Sequence, residues 1–118
     1  MAQHNDLGNR GEELAVNYLL ENDYEILCRN YRYLKAEVDI IAKKEDIIIA
    51  IEVKTRTSNY FGNPQDFINQ KKIQLLTSAM DYYIQKNDLE NEVRFDIVAI
   101  VGKKTFEIQH IEDAFLHF

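Results

Sequence analysis

The segment of residues 35–56 constrains the fold most, because two apolar, β-branched runs are separated there by four charged residues. We interpret residues 35–42 and 47–56 as two strands joined by a tight turn at residues 43–46. The unbroken apolar run of residues 47–51 predicts a strand buried on both faces, as in the middle of a sheet. Asp39, Glu52 and Lys54 nevertheless lie in these strands. Since a charge in a central strand requires an ion pair, a metal or a cleft, we expect the functional site here.

Length and composition indicate the class of protein. The chain has 118 residues, which predicts one domain over residues 1–118. Its one cysteine, Cys28, excludes an internal disulfide framework, fits a reducing compartment, and is expected to be a buried structural thiol. The polar first residues lack the basic and apolar regions of a signal peptide. No apolar run approaches the ~20 residues that span a membrane. We therefore expect a cytoplasmic protein with no membrane partner.

The charges are distributed unevenly along the chain. The net charge of −6 argues against a nonspecific coat on nucleic acid. Residues 28–72, however, hold nine Lys/Arg against six Asp/Glu, whereas the rest of the chain holds five against fourteen. This distribution fits either two solvated faces of opposite sign or a positive cleft for a phosphate backbone on an acidic body.

The order of predicted elements indicates an α/β fold. A helix capped by Asn5 or Asp6 is expected to run to about Glu21, with Gly8 and Gly11 permitting close packing in its first turns. A strand over residues 24–33 precedes the hairpin, and a long helix over residues 64–86 follows it, with Asn63 as N-cap. Strands are predicted over residues 93–101 and 105–111, and a helical turn over residues 113–116. Three strands before a helix imply a mixed central sheet flanked by helices on both faces.

The charges of the hairpin fit a metal-dependent phosphodiester hydrolase. Carboxylates of Asp39 and Glu52, on adjacent strands, can converge on one Mg²⁺, which prefers oxygen ligands, and the Val53 carbonyl can add a third oxygen. The metal would lower the pKa of a bound water and shield the charge of the phosphate. Lys54, on the same strand face as Glu52, can orient that water or offset developing charge. Further candidate ligands are Glu12 and Glu37.

Each of these assignments has a structural alternative. Lys54 can form a buried salt bridge with one carboxylate, although that leaves the second acid unpaired. Glu12 can simply favour the positive end of its helix dipole. Lys71, which flanks the buried face of the second helix, can be a snorkelling lysine.

Basic residues around the hairpin are candidates for contact with nucleic acid. Tyr31 and Tyr33 alternate with basic residues in the first strand, a pattern that can stack on and clamp nucleic acid but is equally normal on a half-exposed strand. The candidates for contact with nucleic acid are Arg29, Arg32, Lys35, Arg56 and Lys71.

Several motifs resemble a known family. The Asp39 and Glu52-x-Lys54 pattern is similar to the core of the PD-(D/E)xK nucleases. Further motifs are spread over nearly the whole chain: Gly8-x-x-Gly11-Glu12 with Ala15 and Tyr18-Leu19, Glu37-Val38-Asp39-Ile40-Ile41, Glu52-Val53-Lys54-x-Arg56, Phe61-Gly62, Lys71 and Arg94-Phe95-Asp96. With these motifs the chain resembles the YraN-like bacterial proteins, a largely uncharacterised group related to Holliday-junction resolvases.

The resemblance implies a restriction-endonuclease-like αβββαβ fold. It also implies that Asp39, Glu52, Lys54 and Glu12 occupy the nuclease positions, with Mg²⁺ or Mn²⁺ as the metal. It further implies branched or structured DNA as the substrate, and a homodimer, because junction resolvases cut two strands symmetrically.

Three functional hypotheses remain open on these grounds. The first is a metal-dependent endonuclease acting on branched or otherwise structured DNA. The second is a module with the same fold that binds nucleic acid without hydrolysing it. The third is a protein-interaction adaptor whose acidic flanks form the contact surface.

Overall fold

The elements follow the predicted order. The computed structural model describes residues 4–57 and 68–114, with side chains from residue 8 onward. In chain order the elements are α1 (His4–Glu21), β1 (Glu25–Tyr33), β2 (Ala36–Lys44), β3 (Ile47–Arg56), α2 (Gln70–Lys86), β4 (Glu92–Gly102) and β5 (Phe106–Ile111). The predicted α/β class and αβββαβ core are thus confirmed, with β5 as the additional terminal strand.

The five strands form one mixed sheet in the order β1-β2-β3-β4-β5. Strands β1, β2 and β3 pair antiparallel, β3 and β4 pair parallel, and β4 and β5 pair antiparallel. A parallel pair requires a crossover connection, and α2 lies in the connection from β3 to β4. Strand β3 is therefore the central strand. Residues 48–51 are buried on both faces as predicted, while Ile47 is half-buried.

Two hydrophobic cores lie on opposite faces of the sheet. Helix α1 packs through Ala15 and Leu19 against Ile49 and Ile51 of β3. Helix α2 packs through Leu76, Ala79 and Met80 against Ile48 and Ala50. Because adjacent residues of a strand point to opposite faces, the two helices cover the two faces of the sheet.

The turn between β2 and β3 is shorter than predicted. Lys44 pairs with Ile47, so Glu45 and Asp46 alone form the connection. Their φ angles are 51° and 71°. Positive φ at both central residues is the feature of a type I′ turn, whose twist matches that of antiparallel strands. The charged residues Lys43 and Lys44 consequently belong to β2.

The helix boundaries correct two predictions. Helix α1 begins at His4, so Asn5 and Asp6 lie within it and do not precede it. Helix α2 begins at Gln70, where the side chain of Asn69 accepts a hydrogen bond from the Lys72 N–H and caps the helix. Residue 68 thus precedes the helix, and the Asn69 side chain satisfies one of the free amides of the first turn. The predicted cap at Asn63 and the helical start over residues 64–67 lie outside the described residues.

Two smaller predictions have mixed outcomes. Cys28 is half-buried and not fully buried, and it contacts the core beneath α2. Residues 112–114 form a turn after β5, and the remainder of the predicted terminal helical turn lies outside the described residues.

Candidate metal and phosphate site

Asp39 is hydrogen-bonded to the central strand at the point where the backbone pairing of β2 and β3 ends. The backbone pairing of these strands ends at Ile40 and Ile51. One residue beyond Ile40, the Asp39 Oδ2 accepts a hydrogen bond of 2.8 Å from the backbone N–H of Val53. The side chain thereby takes the place of a backbone carbonyl as the partner of this amide. This bond holds Asp39 next to the residue that follows Glu52.

The strand alternation is interrupted at Asp39. Val38 packs in the core beneath α2, whereas Ile40 packs in the core beneath α1. Strict alternation would place both side chains on the same face. On β1, Asn30 lies between the residues that pair with Ile40 and Val38, and it has a φ of 54°. This local irregularity in two adjacent strands turns the Asp39 carboxylate toward β3.

Glu52 is a buried carboxylate held by two lysines. Its side chain is 4% exposed and faces the α2 side of the sheet, the same side as Ala50. The Oε2 atom lies 2.5 Å from the Nζ of Lys72 and 3.4 Å from the Nζ of Lys54. A buried carboxylate requires such partners, because removing its charge from water is costly. The salt bridge considered as the structural alternative for Lys54 is therefore present.

Asp39 has a different electrostatic environment from Glu52. Burial and the negative charge of Glu52 raise the pKa of Asp39 to about 7, and Glu12 adds to the rise. The hydrogen bond from Val53 and the charge of Lys72 oppose the rise. Among the residues that the structure describes, Asp39 forms no ion pair. Two carboxylates close together in a partly buried site are typical of a site for a cation or for proton transfer.

A cavity of about 190 Å³ opens beside Asp39. It lies between the start of β2 and the first turns of α2, so Asp39 is accessible from it. Two lysines, Lys35 and Lys72, face the same cavity, and Leu75 and Leu76 form its apolar wall. Carboxylates and ammonium groups in one partly apolar cleft can bind both a cation and a phosphate.

Glu12 approaches the site from α1 but is already hydrogen-bonded. Its Oε1 accepts bonds from Arg29 at 3.2 Å and from Asn30 at 3.3 Å. Gly11 is buried against Thr55 of β3, and a Cβ at this position would overlap the Thr55 hydroxyl. The glycine thus allows the start of α1 to lie close to β3, which carries Glu12 within electrostatic range of Asp39.

The other predicted site residues have varied surroundings. Glu37 lines the cavity, but its Oε2 lies 2.8 Å from the Nε of Arg32. Arg29 forms ion pairs with both Glu12 and Glu13 of α1. Lys35 and Lys71 are exposed, and Arg56 donates a hydrogen bond to the Thr55 carbonyl.

The two carboxylates of the site, Asp39 and Glu52, fit Mg²⁺ or Mn²⁺ as ligands. Asp39 and Glu52 supply hard oxygen atoms. Burial, and after it the charge of Glu52, raises the pKa of Asp39, and a divalent ion bound beside it would favour the charged carboxylate. Within residues 4–57 and 68–114, no three His, Cys, Asp or Glu side chains converge as a metal site. Mg²⁺ commonly uses one or two carboxylates and retains water or substrate phosphate as its other ligands, so two carboxylates are compatible with it.

Lys72 is the site residue that the sequence analysis missed. The sequence pattern predicts Lys71 beside the buried face of the second helix, but Lys71 is exposed. Lys72 lies four residues before Leu76 and seven before Ala79, which are buried positions of α2. Helical spacing from these two residues alone would have placed Lys72 on the inner face.

A second polar cluster joins β4, β5 and α1 on the α1 side of the sheet. Asp96 is fully buried, and its carboxylate accepts bonds from Arg94, from the Asp113 N–H and from His110 Nε2 at 2.7 Å. His110 Nδ1 lies 2.9 Å from the Tyr18 hydroxyl. Burial raises the pKa of Tyr18, and nearby acids raise it further, so this hydroxyl stays protonated at neutral pH. Arg94 and Asp96 of this motif therefore belong to a buried polar cluster that links β4 to β5.

Neither helix of the described chain is long and apolar enough to span a membrane.

The fold and the site together define an α/β protein with a carboxylate–lysine cleft at the edge of its central strands. The family model described as "Uncharacterised protein family UPF0102" matches residues 11–100. The chain belongs to this family, which is the YraN-like family that its motifs resemble.

Bacterial relatives match over all or nearly all of this chain. A UPF0102 protein of Christiangramia forsetii is 57% identical, and one of Flavobacterium psychrophilum is 54% identical, each over 100% of both chains. A UPF0102 protein of Phocaeicola vulgatus is 47% identical over 98% of this chain and 96% of its own.

Proposed function

We propose that the protein is a metal-dependent DNA endonuclease of the PD-(D/E)xK type, which hydrolyses phosphodiester bonds in branched or structured DNA. The observation that carries this proposal is the hydrogen bond between Asp39 and the Val53 N–H, which holds the first acid of the motif beside the residue that follows the second acid, Glu52. Lys54 beside Glu52 completes the set of side chains that such chemistry requires.

The proposed metal ligands are the carboxylates of Asp39 and Glu52 and the carbonyl of Val53. Mg²⁺ or Mn²⁺ bound there would supply a water of lowered pKa and would offset charge on the phosphate. The role proposed for Lys54 is to hold the attacking water or to stabilise charge that develops on the phosphate. For Glu12 and Glu37, which are bonded to Arg29 and Arg32, we propose a supporting electrostatic role.

The DNA backbone is proposed to lie across the cleft beside Asp39. Lys35 at the mouth of the cleft and the exposed Lys71 are the leading phosphate contacts. Arg29 and Arg32 can contact phosphate only by sharing or leaving their carboxylate partners, and Arg56 is the remaining candidate. A homodimer, a cytoplasmic location and a single domain over residues 1–118 are further expectations of this proposal.

The test is a cleavage assay on a panel of branched, flapped and linear DNA with Mg²⁺ or Mn²⁺. The variants Asp39→Asn, Glu52→Gln and Lys54→Met should each reduce cleavage by about a hundredfold or more. The control Glu92→Gln removes an exposed acid at the opposite end of β3 and β4 and should cleave like the wild type. Equal cleavage by wild type and all three site variants would rule out this site.

A nucleic-acid-binding module without hydrolysis is the second candidate. It is favoured by the ion pairs that Glu52 already makes with Lys54 and Lys72, which satisfy the carboxylate without a metal. This candidate predicts salt-sensitive binding that weakens in Lys35→Met and Lys71→Met, because phosphate contacts release counterions. It also predicts no hydrolysis with any divalent metal, which separates it from the first proposal.

A further inference from the structure

Glu52 has two ammonium partners where one would suffice. Both Lys72 and Lys54 contact the same oxygen, Oε2, and Lys72 is the closer of the two. Asp39, on the adjacent strand, forms no ion pair among the described residues, and it lines the cavity together with Lys72. Both ammonium groups thus contact Glu52, and neither pairs with Asp39.

The two lysines differ in their freedom to move. Lys54 belongs to the central strand, where its backbone pairs with Ala99 of β4, and its side chain is 20% exposed. Lys72 lies in the first turn of α2, its side chain is 38% exposed, and it lines the cavity. The Lys72 ammonium can therefore rotate away from Glu52 into the cavity, whereas the Lys54 ammonium is confined beside the strand.

A divalent ion at Glu52 would repel both ammonium groups. The repulsion between like charges is strong in a partly buried site, where water screens it less than at the surface. A metal can bind there with the least repulsion if the more mobile ammonium leaves.

We propose that Lys72 is a built-in counter-ion, which neutralises Glu52 in the metal-free protein and is displaced into the cavity when a divalent metal binds. This inference depends on the proposed function, since it assumes the metal site of the nuclease. The displaced ammonium stays beside Lys35, where it is available to a backbone phosphate of the DNA. Metal binding therefore prepares the cleft for DNA as well as for hydrolysis.

The test measures metal binding without DNA. Isothermal titration of Mn²⁺ into metal-free Lys72→Met should give a dissociation constant about tenfold lower than that of the wild type. Lys86→Met is the matched control, because it removes an exposed lysine from the last turn of the same helix. The control should bind Mn²⁺ like the wild type.

A stability measurement checks that the Lys72 variants are folded. Removing the nearer partner of a buried carboxylate should lower the melting temperature of metal-free Lys72→Met, and saturating Mn²⁺ should restore it. Lys72→Gln keeps a hydrogen-bond donor without the charge, so it should be more stable than Lys72→Met. It should also bind Mn²⁺ more tightly than the wild type.

The outcomes separate this inference from the nuclease proposal. Tighter Mn²⁺ binding by Lys72→Met and Lys72→Gln, but not by Lys86→Met, supports displacement of Lys72. The same conclusion holds if the two Lys72 variants bind Mn²⁺ measurably and the wild type binds too weakly to measure. Equal or weaker binding by the two Lys72 variants overturns it and leaves the nuclease proposal intact. No Mn²⁺ binding by any variant overturns both.

Discussion

Asp39 and Val53 are joined by a side-chain-to-backbone hydrogen bond of 2.8 Å that continues the β2–β3 contact beyond its last backbone pair. The bond satisfies a strand amide and at the same time keeps a carboxylate beside Glu52. Since burial and the charge of Glu52 raise the pKa of Asp39 to about 7, this arrangement opposes the charged form of the residue. The site is therefore expected to limit the stability of the metal-free protein.

Asp39→Asn should be more stable than the wild type at pH 8 without metal. The amide oxygen can still accept the bond from Val53, while the charge beside Glu52 is removed. One pKa unit corresponds to 1.36 kcal/mol. Because the neighbouring carboxylates Asp39 and Glu52 can both adjust their positions, we expect only part of the full pKa shift to count, a gain of about 2 kcal/mol in the free energy of unfolding. Urea denaturation measures this gain, and a loss of stability in Asp39→Asn would contradict it.

The gain in Asp39→Asn should depend on pH. The folded pKa of Asp39 is raised from 3.8 to about 7, so between these values the folded state retains a proton that the unfolded state releases. Asp39 therefore contributes its full stability to the wild type below pH 4, and this contribution is lost as the pH rises to about 7. The difference between Asp39→Asn and the wild type should thus be near zero at pH 4 and largest above pH 7. A difference that stays constant from pH 4 to pH 8 would disprove the raised pKa.

The buried Asp96 should have the opposite pH dependence. Burial alone would raise its pKa, but hydrogen bonds from His110, Arg94 and the Asp113 N–H outweigh burial and lower it. Its contribution to stability is therefore present above the unfolded value of 3.8 and is lost as the pH falls through the lower folded pKa.

Asp96→Asn should destabilise the protein by about 3 kcal/mol at pH 7, because it leaves Arg94 without its buried partner. Asp113→Asn is the control, because Asp113 contacts Asp96 through its backbone N–H and its side chain is exposed. The stability of this variant should remain within about 0.5 kcal/mol of the wild type. Thermal unfolding with both variants checks this, and similar losses in the two would argue against the buried cluster.

Gly11→Ala should destabilise the protein by about 1–3 kcal/mol, because the added methyl overlaps the Thr55 side chain. The double variant Gly11→Ala with Thr55→Ala should recover most of this loss, since the closest atoms are removed. Gly8→Ala is the matched control, because nothing lies within 4 Å of a Cβ at that position. There the better helix propensity of alanine should raise stability by up to about 1 kcal/mol. Melting temperatures of the four proteins measure the effect, and a stable Gly11→Ala would show that α1 can move away from β3.

The strands were predictable because their pattern is local. Residues 48–51 are apolar without interruption, and only a strand between two others buries every side chain of such a run. The acids Asp39 and Glu52 could be selected for the same reason, since a charge within such strands conflicts with its surroundings. The predictions of Mg²⁺, DNA and hydrolysis stay predictions until the cleavage and Mn²⁺ experiments are done.

The start of α2 and the role of Lys72 were not predictable in the same way. Both Asn63 and Asn69 are residues that favour a helix N-cap, and propensity does not rank them. The pairing of Lys72 with Glu52 joins residues that are 20 positions apart, and it depends on how α2 packs over β3. Likewise, the pairing of Arg29 with Glu12 and Glu13 depends on the approach of α1 to β1.

Local periodicity and burial preferences thus establish the helices, the strands and the two acids that conflict with their strands, because these follow from neighbours along the chain. The ion pairs, the irregularity at Asp39 and the cavity beside it arise only when distant elements pack together. Their physical basis is long-range: a buried charge takes whichever partner the packed helices bring within a few ångströms, and the sequence does not encode that distance locally.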